Sequence, residues 1–226
     1  MSITANRLTA AAGLCAAAAG AICIGVQINH PHFDATSIQT TEMAVRDTLK
    51  VLMAVLSLAG ITGMYLSQVR RNGVLGLVGY LVLSAGYLMV TCTAFAAAFV
   101  LPTVAESNPG YVNDVIAANT GGSPTGDIGA LATVIQLQGF AYLTGGVLFG
   151  IALFRARVLA RWATVFLAAG GVVSAALFLM PDAFYRLLAF PNGIAMIGLG
   201  ISLWLVQRKA SAAETSASHA DVVTVR

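Results

Sequence analysis

Charged side chains along this chain fall into short clusters, and six runs between them hold no Asp, Glu, Lys or Arg: 8–33, 51–69, 72–105, 128–154, 162–181 and 187–207. Each is long enough for the roughly 20 residues that carry a helix across about 30 Å of hydrocarbon. Helix is required there, because lipid offers no hydrogen-bonding partner to a free backbone N–H or C=O. The pattern predicts spans near 8–27, 50–68, 74–100, 130–154, 162–180 and 190–207. The third and fourth runs exceed one crossing, so those helices must tilt or project. The expected fold class is all-α: a polytopic membrane bundle of six transmembrane helices over 1–209. Residues 210–226, mostly Ala, Ser and Thr with scattered charge, predict a disordered cytoplasmic tail.

The segments between the runs predict the connections. Val69–Gly73 and Arg155–Arg161 are short enough for tight antiparallel hairpins. In 28–49, Thr36 or Ser37 is placed to cap a helix that continues into the second span. Residues Tyr111–Ala118 predict a short helix, and the Gly-rich stretch Asn119–Gly129 a flexible loop. That loop lacks the Gly-Lys-Ser/Thr ending of a phosphate loop.

Composition agrees with a lipid environment. Of 226 residues, 58 % are apolar and 9 % charged, and mean hydropathy is +0.84. Soluble domains carry about 25 % charge, which argues against an ordinary soluble enzyme. The net charge of +3 is too small to point to nucleic acid as a partner. The basic residues report topology instead. Nine of twelve (Arg7, Arg70, Arg71, Arg155, Arg157, Arg161, Arg208, Lys209 and Arg226) fall on one side of the predicted spans. Only Arg46, Lys50 and Arg186 fall on the other. The positive-inside rule then puts both termini in the cytoplasm. The first apolar stretch is longer than a signal-peptide core, so it reads as an uncleaved helix.

Candidate chemistry inside the membrane is sparse. No ionisable residue lies centrally in a span, which argues against proton- or sodium-coupled transport. No His lies in a span and no Ser-His pair, paired acids or His-Glu-x-x-His occurs there, so no cofactor and no catalytic residue is expected. Cys15, Cys23 and Cys92 read as small apolar residues, with a disulfide between Cys23 and Cys92 left open by their depth.

Two groups of residues stand out as candidate sites. In the outer segment His30-Pro-His32-Phe-Asp34, extended backbone would put alternate side chains on one side, where both imidazoles and the carboxylate would suit Zn or Cu. Glu42 or Asp182 is a candidate fourth ligand. Within the membrane, Tyr80, Ser84, Tyr87 and Thr91 recur at i, i+4, i+7 and i+11 and form one polar face of the third span. The fourth span offers Thr133, Gln136, Gln138 and Tyr142. Gln136 and Gln138 stand about 200° apart, so they cannot share one narrow face. A Gln facing lipid leaves its amide unpaired, so the third-span face is expected to turn inward toward one of them. The seam then either pairs internally or lines a ligand pocket open to the outside.

Close helix packing is expected at Gly146-x-x-x-Gly150 and Gly170-x-x-x-Ser174, with Gly146/Gly150 doubling as a candidate homo- or hetero-oligomer contact. Trp162 and Trp204 lie near predicted cytoplasmic ends, as interfacial anchors.

The stretch Gly145–Gly170, with its Arg155-Ala-Arg157 and Arg161-Trp162 hairpin, resembles uncharacterised actinobacterial six-helix integral membrane proteins grouped as a domain of unknown function. Members often carry Pro before the Arg-Trp pair, where this chain has Ala160. The resemblance implies a six-helix fold in a bacterial plasma membrane and brings no catalytic residues with it. The leading functional expectation is a non-enzymatic membrane protein, either an accessory subunit or a binder of a small apolar ligand or lipid. A passive channel or facilitator is the second class, and an outward-facing metal-dependent enzyme or metal sensor the third.

Overall fold

The charge-free runs are helical in a computed structural model, which describes residues 4–177 and 189–224. Long helices are α1 (Ala5–Gly25), α2 (Thr41–Leu66) and α3 (Val69–Phe99). Two short ones follow, α4 (Leu101–Ser107) and α5 (Pro109–Asn119). The chain then forms α6 (Ala130–Ala156), α7 (Arg161–Leu177) and α8 (Ala189–Thr224). Five of these, α1, α2, α3, α6 and the Ala189–Ala213 part of α8, are long and apolar enough to cross a membrane. The α7 helix is described over 17 residues. The end of the predicted fifth span, 178–180, lies outside the described residues, as do Asp182 and Arg186.

Among the described residues, the long helices close into a ring, α1–α2–α3–α6–α7–α8 and back to α1. Small residues set the spacing. Along α3/α6, Gly79 meets the Phe149 backbone, Leu83 meets Gly145, and Gly86 meets the Tyr142 backbone. Small thus faces large at each step, in a strictly antiparallel register. Across α1/α8, Gly13 faces Gly200 and Gly20 faces Gly193, backbone on backbone. Close approach through small residues is what replaces the hydrophobic driving force between helices in lipid. The core inside the ring draws on Ala16, Ile61, Leu83, Phe149, Leu167 and Leu199, each nearly or fully buried.

A second apolar core lies at the end where α1 stops and α2 starts. Ala35, Ile38, Leu101, Ala105, Val112 and Ile116 bury one another there. The Ala35 N–H donates to Asn113 Oδ1 at 2.8 Å, tying α5 to the α1–α2 connection. The predicted Tyr111–Ala118 helix lies within α5, capped by Asn108, whose Oδ1 accepts from the Tyr111 N–H at 3.1 Å. Helix α4 was not expected from the pattern, since its residues continue the apolar run of α3.

One carboxylate ties the Gly-rich loop to α5. Asp114 accepts from the Thr125 N–H at 2.7 Å, the Thr125 hydroxyl at 3.0 Å and the Gly126 N–H at 3.0 Å. Those bonds hold the Asp114 carboxyl below its ordinary value. A lowered carboxyl value means the tie is complete at neutral pH and is lost as pH falls through that lowered value. Asp114→Ala is therefore expected to speed hydrogen exchange at Thr125 and Gly126 at pH 7 without changing global stability. Wild type should show the same loosening only below the usual Asp value of about 3.9. Unchanged protection of both amides in the variant would refute the role.

Helix α2 starts nine residues before the predicted span (41 against 50). Its outer turns carry Glu42, Arg46, Asp47 and Lys50, which a charge-based boundary excludes although they pair on the helix itself. The cap is Thr40, whose hydroxyl accepts from the Met43 N–H at 3.3 Å. Thr36 and Ser37 instead sit in a 3-10 turn, Ser37–Gln39, entered at Asp34. At the other end of the chain, the backbone stays helical through Thr224, over residues expected as an irregular tail. Ala-rich sequence favours helix, and no Gly or Pro follows Gly200 to stop it.

Candidate functional site

The polar face of α3 turns into the ring. Tyr80 stacks on Tyr65 of α2 with ring centroids 4.7 Å apart, and its hydroxyl lies 3.1 Å from that of Thr62. Tyr87 is 3 % exposed and meets Tyr142 of α6 edge-on at 5.2 Å. Ser57 and Tyr142 line one small cavity together with it. The Ser84 hydroxyl is buried between these two tyrosine clusters without a partner. Thr91 donates back to the Tyr87 carbonyl of its own helix at 2.8 Å and joins no other helix through that bond.

Only one amide joins the seam, and through a different residue than expected. The Gln138 Oε1 accepts from the Thr93 hydroxyl at 2.7 Å. Thr93 stands about 200° around the helix from Thr91, off the Tyr80–Thr91 face. The register of α3 on α6 carries it toward Gln138, and that register is a tertiary fact. Gln136 and Thr133 lie exposed on the outside of α6.

The seam encloses little space. A cavity of about 10 Å³, room for the centre of one water molecule, lies beside Tyr87. It is lined by Ser57, Tyr87, Tyr142 and Asn192 on its polar side and by Cys23, Met53 and Met196 on its sulfur side. Drug-sized pockets run to about 300–1,000 Å³, so this cavity suits a water or a single ion.

The outer His-Pro-His-Phe-Asp segment is not brought together as a ligand set. Asp34 accepts from the Thr36 N–H at 2.9 Å and the Ser37 N–H at 2.7 Å, opening the 3-10 turn. Those bonds, with the first contribution from Ser37, lower its carboxyl value. The His30 ring turns to the Pro31 carbonyl, Nδ1 to O 2.9 Å, and packs edge-on against Phe33. Glu42 is paired with Arg46 at 2.8 Å. Among the described residues, no three His, Cys, Asp or Glu side chains converge as a metal site.

Arg46 and Lys50, near the start of α2, have structural work. Arg46 Nη1 donates to the carbonyls of Val26 at 2.8 Å and Ile28 at 3.1 Å, and Nη2 to that of Asn29 at 3.3 Å. It thereby satisfies carbonyls that the end of α1 leaves open. Lys50 Nζ lies 2.7 Å from Asp47 Oδ1 and over the Phe33 ring. On the opposite side, Arg161 stacks on Phe154 and Arg208 on Trp204. Trp162 is exposed there and touches Phe166 edge-on.

Gly146 and Gly150 are buried against α7 of the same chain, and a Cβ at Gly150 would come within 2.9 Å of Ala168 Cβ. Gly150 thus makes the close helix contact expected of it, within one chain. Gly170 faces Asn192 of α8. All three cysteines are free thiols, with Cys92 exposed and Cys23 donating to the Ala189 carbonyl at 3.7 Å.

No protein-family model matches this chain, and no curated protein or solved structure matches it significantly.

Proposed function

We propose that this chain is a non-enzymatic plasma-membrane protein of six spans, with both termini cytoplasmic, acting as an accessory subunit through its outer surfaces. The sixth crossing in this reading is α7. It packs antiparallel to α8, from Trp162 against Gly198 at one end to Gly170 against Asn192 at the other. An even number of crossings puts both termini on one side, and the basic clusters make that side cytoplasmic.

The observation that carries the functional reading is how the seam spends its polar groups. Tyr80 pairs with Thr62, Tyr87 packs edge-on against Tyr142, and Gln138 accepts from Thr93. Side chains used on one another hold helices together and leave little for a solute. Contact surface is offered instead outside the ring. Leu88, Phe95, Phe99, Leu137 and Phe140 are exposed along α3 and α6, beside the exposed Gln136 amide. A lipid-facing amide gains from a hydrogen-bonding partner, which a neighbouring helix supplies. A bound lipid is the simpler form of the same reading, with acyl chains covering that aromatic face.

Native mass spectrometry of the protein taken from its own membranes into nanodiscs tests this. A second polypeptide or one lipid class retained at fixed stoichiometry, and lost in Phe95→Ala/Phe140→Ala, is the expected result. Solute flux through liposomes holding the pure protein alone would overturn it in favour of a facilitator.

A further inference from the structure

The cavity beside Tyr87 has an unusual wall. Cys23 from α1, Met53 from α2 and Met196 from α8, one thiol residue and two thioether residues, all line a space the size of a single water. These residues are 30 and 143 positions apart in sequence (53 − 23 and 196 − 53), so no sequence motif joins them. Methionine ordinarily fills gaps in a core. Here two of them border a gap instead, in company with Ser57, Tyr87, Tyr142 and Asn192.

We propose that this cavity binds one Cu(I) ion through Cys23, Met53 and Met196. Thiolate and thioether are the soft donors that select Cu(I) over the harder divalent ions. Charge selects in the same direction. One thiolate and one monovalent ion form a neutral group, whereas a divalent ion with these ligands would leave a net positive charge in low dielectric, at high cost. On binding, the Cys23 S–H bond breaks, an S–Cu bond forms and the proton leaves to solvent. Copper enters and stays as Cu(I), so no electron is transferred. The thiol's contact with the Ala189 carbonyl is given up, and Ser57 and Tyr87 line the same cavity.

Cys23 lies within one turn of the end of α1 at Gly25. The α2 helix runs on from Met53 for twelve residues to Thr41, about 18 Å at 1.5 Å per residue. The cavity therefore sits near the end of α1, beside α2, which continues past it. This site is independent of the accessory-subunit reading, because it uses none of the exposed faces.

The test titrates the full-length protein in nanodiscs, without oxygen, with Cu(I) held by a competing chelator. One Cu(I) per chain with an ultraviolet thiolate-to-copper band is expected, and Cys23→Ala should lose both. Met53→Leu and Met196→Leu, which keep apolar volume and so the fold, should each weaken binding by about tenfold or more, a scale typical of disturbed metal sites. Cys15→Ala and Cys92→Ala should leave affinity unchanged. No stoichiometric Cu(I), retention of binding in Cys23→Ala or in the Met53→Leu/Met196→Leu double variant, or equal affinity for Zn(II), would each overturn the assignment.

Discussion

Lys50→Met should destabilise the protein by about 3–5 kcal/mol, the usual cost of breaking a buried ion pair from one side. The Asp47 side chain is 1 % exposed and its Oδ1 sits 2.7 Å from the Lys50 ammonium, while Oδ2 has no partner at all. Removing Lys50 would leave that carboxylate buried beside apolar neighbours without a counter-charge. The reverse change is milder. Lys50 is 22 % exposed and lies over Phe33, so in Asp47→Asn its long stem can carry the ammonium to water. The double variant Asp47→Asn/Lys50→Met should recover most of the loss, because no charge remains to be buried. Thermal or denaturant unfolding of the three variants forms the cycle that isolates the pair. A Lys50→Met protein within about 0.5 kcal/mol of wild type, the range of an ordinary surface change, would show that the pair does not matter.

Gly145→Ala should cost about 1–3 kcal/mol, as overpacking of a tight core does. The added methyl would come within 2.8 Å of Leu83 Cβ and closer still to the Leu83 backbone, so no flexible side-chain tip can move aside. Relief requires α3 and α6 to separate along their whole contact, loosening the Gly79/Phe149 and Gly86/Tyr142 steps as well. Gly139→Ala is the matched control on the same helix. Nothing lies within 4 Å of its Cβ position, so that change should be neutral or gain up to about 1 kcal/mol from helix propensity. Heating both variants in one detergent, with loss of the folded fraction as the readout, separates sterics from any general effect of filling a glycine. Equal behaviour of the two would mean that α3 and α6 do not pack in this register.

How far the candidate sites could be read in advance depends on what each required. The Tyr80, Ser84, Tyr87 and Thr91 face needs only helical periodicity, and Tyr87 is found buried against α6 as that periodicity implies. Pairing of Thr93 with Gln138 needs the interhelical register, which no single-helix pattern contains. The outer His30, His32 and Asp34 set was built on extended backbone. Asp34 opens a 3-10 turn instead, because two backbone N–H groups at the start of that turn compete for its oxygens. The sulfur-lined cavity drew no attention in the chain, since Cys23, Met53 and Met196 belong to three helices and each alone is an ordinary apolar residue.

Helix positions were legible to within a few residues wherever a charge-free run had no competing charge pattern. The predicted 8–27 and 130–154 become 5–25 and 130–156. The reason is local: in lipid each segment must satisfy its own backbone, so length and apolarity are enough to decide that it is a helix. The helix expected to lead into the second span is present, but it is capped at Thr40 and not at Thr36 or Ser37. Glu42 with Arg46 and Asp47 with Lys50 pair within α2 and let the helix continue. The closed ring, the second apolar core of α4 and α5, the Asp114 tie on the loop and the three sulfurs around one cavity were decided by the tertiary structure alone. Each depends on which apolar faces meet. With 58 % of residues apolar and small residues on many helices, many pairings look alike in sequence, and steric fit of glycine against backbone selects among them.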